Sequence, residues 1–144
     1  MKARTITVAI LGFMLFSLPA GAPVLAEELV VIANNSVAAD RLGRGTVSDI
    51  YLGNMMNWDD GGIIRVAMLK TGGTHETFVR DILGITPARL KNLWKKFLFT
   101  GTGTPPKVFK TEADLAKFVA STRGAIGYVS ASTPHGEVKV VSIK

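Results

Sequence analysis

The sequence predicts a three-layer α/β domain. Short apolar runs of strand length alternate along the chain with segments whose apolar residues recur at helical spacing. No internal repeat, low-complexity tract or linker divides the chain, so strands and helices share one core. Removing a leader of 26 residues leaves 118, enough for one compact domain and too few for two.

The elements follow in order. Residues 28–33 (ELVVIA) form a continuous apolar run, the pattern of a strand covered on both faces, and Asn34-Asn35-Ser36 ends it as a turn and cap cluster. Residues 41–45 (RLGRG) read as a loop. Thr46 then starts a short helix, with Asp49 in a capping-box position and Gly53 as its stop. A turn over 57–62 (NWDDGG) leads into a second apolar strand, 63–69. After a glycine turn, Phe78, Ile82 and Leu83 mark a helix stripe ending at Gly84. Thr86-Pro87 opens the next helix with proline at its first position, and Leu90, Leu93, Trp94, Phe97 and Leu98 form its apolar stripe. Residues 101–106 (GTGTPP) form a rigid surface loop. Thr111 with Asp114 caps a further helix that buries Leu115, Phe118 and Val119, and 125–129 and 138–143 are the last strands.

Residues 1–26 have the layout of a signal peptide: Lys2 and Arg4, then the apolar run 8–18, then small residues ending in Ala26. The apolar run is shorter than the about 20 residues of a membrane span and is followed by Pro19 and Gly21. The expected product is an exported, soluble domain of residues 27–144. The chain contains no cysteine, which excludes disulfides, thiol chemistry and a lipid-modified cysteine. Without the leader, 15 basic residues face 11 acidic ones, a net charge of +4. In an exported protein that surplus points away from nucleic acid, towards solubility or towards small anions, acidic partners and anionic lipid.

The stretch LKTGGTHETFV (69–79) carries the most functional information. A glycine turn that opens a helix leaves backbone N–H groups unpaired in the positive field of the helix dipole, which suits an oxyanion. Glu76 places a negative charge in the same turn. At about 5 Å and an effective dielectric near 20 it repels a monoanion by roughly 3 kcal/mol, and Lys70 returns a similar amount. The same residues also make an ordinary helix start, with Thr74 as cap and Glu76 complementing the dipole. Both readings stand on the sequence.

Three segments in register resemble the phosphate-binding proteins of ABC transporters. DIYLGNMMNWDDG (49–61) resembles that family's DI-F/Y-x-G-K-I-x-x-W-x-D segment. LKTGGTHETFV stands where the family has an R-x-D-G-S-G-T-x-F turn, and RGAIGYVSA (123–131) resembles its T-x-G-A-I-G-Y-V segment. The resemblance implies a type II periplasmic-binding-protein-like single lobe with a mixed sheet, located in the periplasm or otherwise secreted. It implies phosphate or another small oxyanion as ligand and an ABC transporter membrane subunit as partner. Lys70 stands for the family's arginine and Thr74 for its ligand serine, while His75 and Glu76 replace its glycine and threonine. The expected ligand-binding residues are Lys70, Gly72, Gly73, Thr74, Ser36 and Asn35, gathered at one cleft edge with Gly127-Tyr128 nearby. A single lobe leaves that edge open, so a second copy of the chain or another protein is expected to cover it. The alternative is an interaction module without a small-molecule ligand.

Other chemistry finds little footing. His75-Glu76 begins an HExxH pattern, but its fifth position is Val79. No G-x-S-x-G or Ser-x-x-Lys pattern occurs, so neither a metal site nor an enzyme is expected, and no cofactor. Arg89, Lys91, Lys95 and Lys96 make the helix around Trp94 basic, either as a solvated face or as contact with anionic lipid or an acidic partner. Trp58 and Trp94 read as packing residues.

Overall fold

The computed structural model describes residues 28–144 together with Gly21; the expected leader and its cleavage site otherwise lie outside the described residues. Six strands form one mixed sheet: β1 (Leu29–Ala33), β2 (Arg41–Leu42), β3 (Arg65–Leu69), β4 (Lys107–Phe109), β5 (Ala125–Ser130) and β6 (Lys139–Ile143). Their order is β2-β6-β1-β5-β3-β4. β1 is antiparallel to both neighbours, whereas β2 with β6, and β3 with β4 and β5, pair in parallel. β1 therefore runs against the other five. The helices are α1 (Arg44–Tyr51), α2 (Gly73–Thr77), α3 (Pro87–Thr100) and α4 (Glu112–Ser121), and α2 continues as a π-helical turn over Phe78–Ile82.

Central β5 is buried along its whole length, which requires cover on both faces. Gly127 faces α4: a Cβ there would lie 2.6 Å from Leu115 Cδ2 and 3.1 Å from Val119 Cγ2. Its neighbour Tyr128 points the other way, stacking on Phe78 with centroids 3.8 Å apart and leaning on Tyr51. The alternation of side chains along one strand thus divides the helices into two layers. This is the expected three-layer single lobe. Among the described residues, every buried core residue lies between Val31 and Val141.

Several local expectations change. Residues 41–45 are not all loop: Arg41–Leu42 pairs with β6, and the Arg44 N–H donates to the carbonyl of Lys144. That pairing moves the start of α1 ahead of Thr46, to a Gly43 N-cap without a side-chain cap, so the Thr46/Asp49 capping box does not form. The caps at Thr86 and Thr111 are as expected, each hydroxyl accepting from the N–H three residues on. Lys107–Phe109 was not anticipated as a strand; its three residues carry too little pattern to be seen without the β3 edge they pair with. Leu98 leaves the apolar stripe of α3 and is exposed.

Candidate functional site

The parallel strands β3, β4 and β5 end side by side, and their carboxyl ends lead into the turn before α2, the start of α4 and the segment Ser130–Thr133. An open α/β sheet places its crevice at such an edge. Lys70, Gly72 and Gly73 are exposed on its rim and Thr74 is half-buried. Gly72 has φ +111, a conformation that favours glycine, and it is the N-cap of α2 without any side-chain cap.

Thr74 is therefore not the expected helix cap. Its side chain lies instead beside the carboxylate of Glu112, the first residue of α4, and favours that group's charged form. The same carboxylate accepts from the Ser130 N–H at 3.1 Å, from Ser130 Oγ at 3.2 Å and from the Thr133 hydroxyl. Ser132 Oγ lies 3.0 Å from Ser130 Oγ and extends the cluster. Burial alone would raise the Glu112 pKa, but the bonds from Thr133, Thr74 and Ser130 outweigh it and hold the carboxyl below its usual value. This strand-end edge thus carries a pair of anionic oxygens, supplied by the chain itself. In the sequence only Thr111 and Asp114 stand out here, as a cap pair, and Glu112 does not. Its contact with Ser130 and Thr133 spans a β-strand and a helix.

Beneath the rim, Tyr128 Oη accepts from the Leu69 N–H at 3.1 Å and lies 2.5 Å from His75 Nδ1. A phenol that donates its own proton to Nδ1 goes with the Nε2–H form of the neutral ring. Burial lowers the His75 pKa, with the Glu76 charge opposing, and burial raises that of Tyr128. The folded pKa of His75 thus lies below the ordinary 6.5, so the unfolded chain takes up the proton first as pH falls. The stability contribution is complete above that value and is lost below it. Thermal melts should therefore show a midpoint that falls as pH drops below about 6.5, and His75→Gln should flatten that fall. Glu112 acts in a separate, lower window. Its contribution is present above 4.5 and disappears as pH falls through its depressed folded value.

The fold does not bring Asn35 and Ser36 to this crevice. Because β1 is antiparallel to β5, with Leu29 opposite Ser130 and Ala33 opposite Ile126, its carboxyl end lies at the other end of the sheet. Five residues of strand separate the two ends by roughly 16 Å. Asn35 Nδ2 donates to the Glu137 carbonyl, and Ser36 Oγ accepts from the Gly124 N–H. Ser36 lines a surface hollow of about 260 Å³ with Trp58, Arg65 and Arg123. The single cleft edge expected from the sequence is thus two separate places. Tyr128 does lie at the Lys70–Thr74 end. Among the described residues no group of three His, Cys, Asp or Glu is arranged to hold a metal ion, and no helix is long and apolar enough to cross a membrane.

No family model and no curated protein matches the chain. Solved structures do. A Clostridium perfringens protein described as a phosphate ABC transporter substrate-binding protein, solved with bound phosphate, superposes with a TM-score of 0.65 at 20% identity, over 81% of this chain and 45% of its own. An ABC-type phosphate transport receptor from Vibrio cholerae follows at TM-score 0.64 and 17% identity, over 81% and 46%. PstS from Borrelia burgdorferi aligns at 0.63 and 13%, over 82% and 47%. At these identities the likeness is one of fold. The chain spans less than half the length of each of these structures.

Proposed function

We propose that the chain is an exported, non-enzymatic solute-binding domain that takes phosphate or a similar small oxyanion, weakly, in the crevice between Lys70–Thr74 and Ser130–Thr133. One observation carries the reading: the Ser130 N–H and the hydroxyls of Ser130 and Thr133 already converge on two anionic oxygens, with the Thr74 side chain beside them. The Glu112 carboxylate stands in for two oxygens of the ligand, and the ligand must displace it. The fold likeness to phosphate-binding proteins points to phosphate first. In this reading the domain works in the periplasm beside an ABC transporter membrane subunit. That subunit or a second copy of the chain covers the open rim and raises the strength of each contact by excluding water.

Calorimetric titration with phosphate and sulfate tests the proposal. Binding with a Kd of about 1 mM is expected, a net of about −4 kcal/mol. Lys70→Ala and Thr74→Ala should weaken it several-fold by removing a cation and a hydroxyl, and Glu76→Thr should tighten it by removing a like charge. The same observation supports a second reading, an interaction module without a small ligand, because Glu112 already satisfies the donors. Absence of heat from both the wild type and a Glu112→Gln variant would leave only that second reading.

A further inference from the structure

The two sides of α3 differ in kind. Leu90 and Trp94 are buried, and Trp94 Nε1 donates to the Tyr51 carbonyl, so the inner face is fully committed to the core. On the outer face Lys91, Lys95 and Phe99 follow one another at intervals of four and so stack along one line of the helix. Phe99 is 90% exposed and Leu98 beside it 62%. Arg89 and Lys96 are exposed as well, α3 contains no acidic residue, and among the described residues none of its four cations joins an ion pair. Leu98 and Phe99 thus set an adjacent apolar pair in water at the end of this basic face.

We propose that this face of α3 docks on an anionic lipid surface, with Leu98 and Phe99 entering the headgroup boundary and the lysines meeting lipid phosphates. Charge complementarity selects the occupant: four cations with no acid on the element call for an anionic partner. The cations also favour lipid over an acidic protein. Lysine is depleted from protein interfaces, where its flexible stem loses entropy on being fixed. Basic residues with Leu and Phe on an amphipathic helix are the composition of an interfacial helix, and a fluid headgroup layer needs no shape match. Neither the Glu112 crevice nor its ligand takes part.

Vesicle flotation tests the proposal, using the full chain as recovered from exporting cells and vesicles of phosphatidylcholine alone or mixed with phosphatidylglycerol. The wild type is expected to float with the mixed vesicles and not with phosphatidylcholine alone, and to be released by salt of about 0.5 M. Lys91→Glu with Lys95→Glu should lower partitioning at least about twenty-fold, from about five-fold for each lost cation. Leu98→Ser with Phe99→Ser should lower it by a similar factor. All four positions are exposed, so circular dichroism should show an intact fold in both variants. Equal flotation with both vesicle types, or no loss in either variant, would overturn the proposal. So would capture of an acidic protein through Lys91 and Lys95 without any vesicle binding.

Discussion

Gly124→Ala is expected to lower the thermal midpoint by about 10 °C or more, equivalent to at least about 3 kcal/mol for a domain of this size. Gly124 has φ +76, where an L side chain is strained, and a Cβ there would sit 2.3 Å from the Ile63 carbonyl oxygen. Backbone has to move to relieve that contact, and this backbone is tied on every side. The Gly124 N–H donates to Ser36 Oγ, and its carbonyl accepts from Trp58 Nε1 at 3.0 Å and from the Arg65 N–H at 3.1 Å. One residue thus joins the turn after β1, the 57–62 turn and the start of β3. Gly61→Ala is the control. Gly61 has a similar φ of +83 with nothing within 4 Å of its Cβ position, so only the backbone strain of about 1–2 kcal/mol applies. Equal melting of the two variants would show that the approach of Ile63 to Gly124 is not what constrains this end of the sheet.

Glu112→Gln is expected to tighten phosphate binding about ten-fold or more, an effect of about 1.4 kcal/mol. The unscreened repulsion between a carboxylate and a monoanion about 5 Å apart is roughly 3 kcal/mol at an effective dielectric near 20, and solvent at the half-buried site reduces it. Glutamine keeps the shape. Its amide oxygen can accept from the Ser130 N–H, while its amide group donates to the Ser130 and Thr133 hydroxyls, which rotate to suit. The fold should therefore survive with little loss, and a change in affinity can be read as charge. Calorimetry on both proteins at pH 7 decides the matter. Equal affinities would place the oxyanion away from Glu112 and shift attention to the Ser36, Arg65 and Arg123 hollow.

Much of the architecture was legible in the amino acids because it depends on short-range chemistry. The apolar runs that became β1, β3, β5 and β6, the Thr86 and Thr111 caps with Pro87 in the first helical position, and the glycine stops at Gly53 and Gly84 all follow from neighbours in sequence. The Gly72-Gly73 turn at the mouth of a helix was visible for the same reason. Long-range pairing decided the rest. The direction of β1 is invisible in ELVVIA, since a buried strand reads the same whether parallel or antiparallel, and that one choice sends Asn35 and Ser36 to the far end of the sheet from Lys70. Thr74 is recognisable as a residue for a cap or a ligand, but the tertiary fold makes Gly72 the cap and sets the Thr74 side chain beside Glu112. Glu112 does not stand out in the sequence beside the Thr111 and Asp114 cap pair. Only the parallel order of β5, β3 and β4, which brings the end of β5 beside the start of α4, turns that acid into the anion at the centre of the crevice.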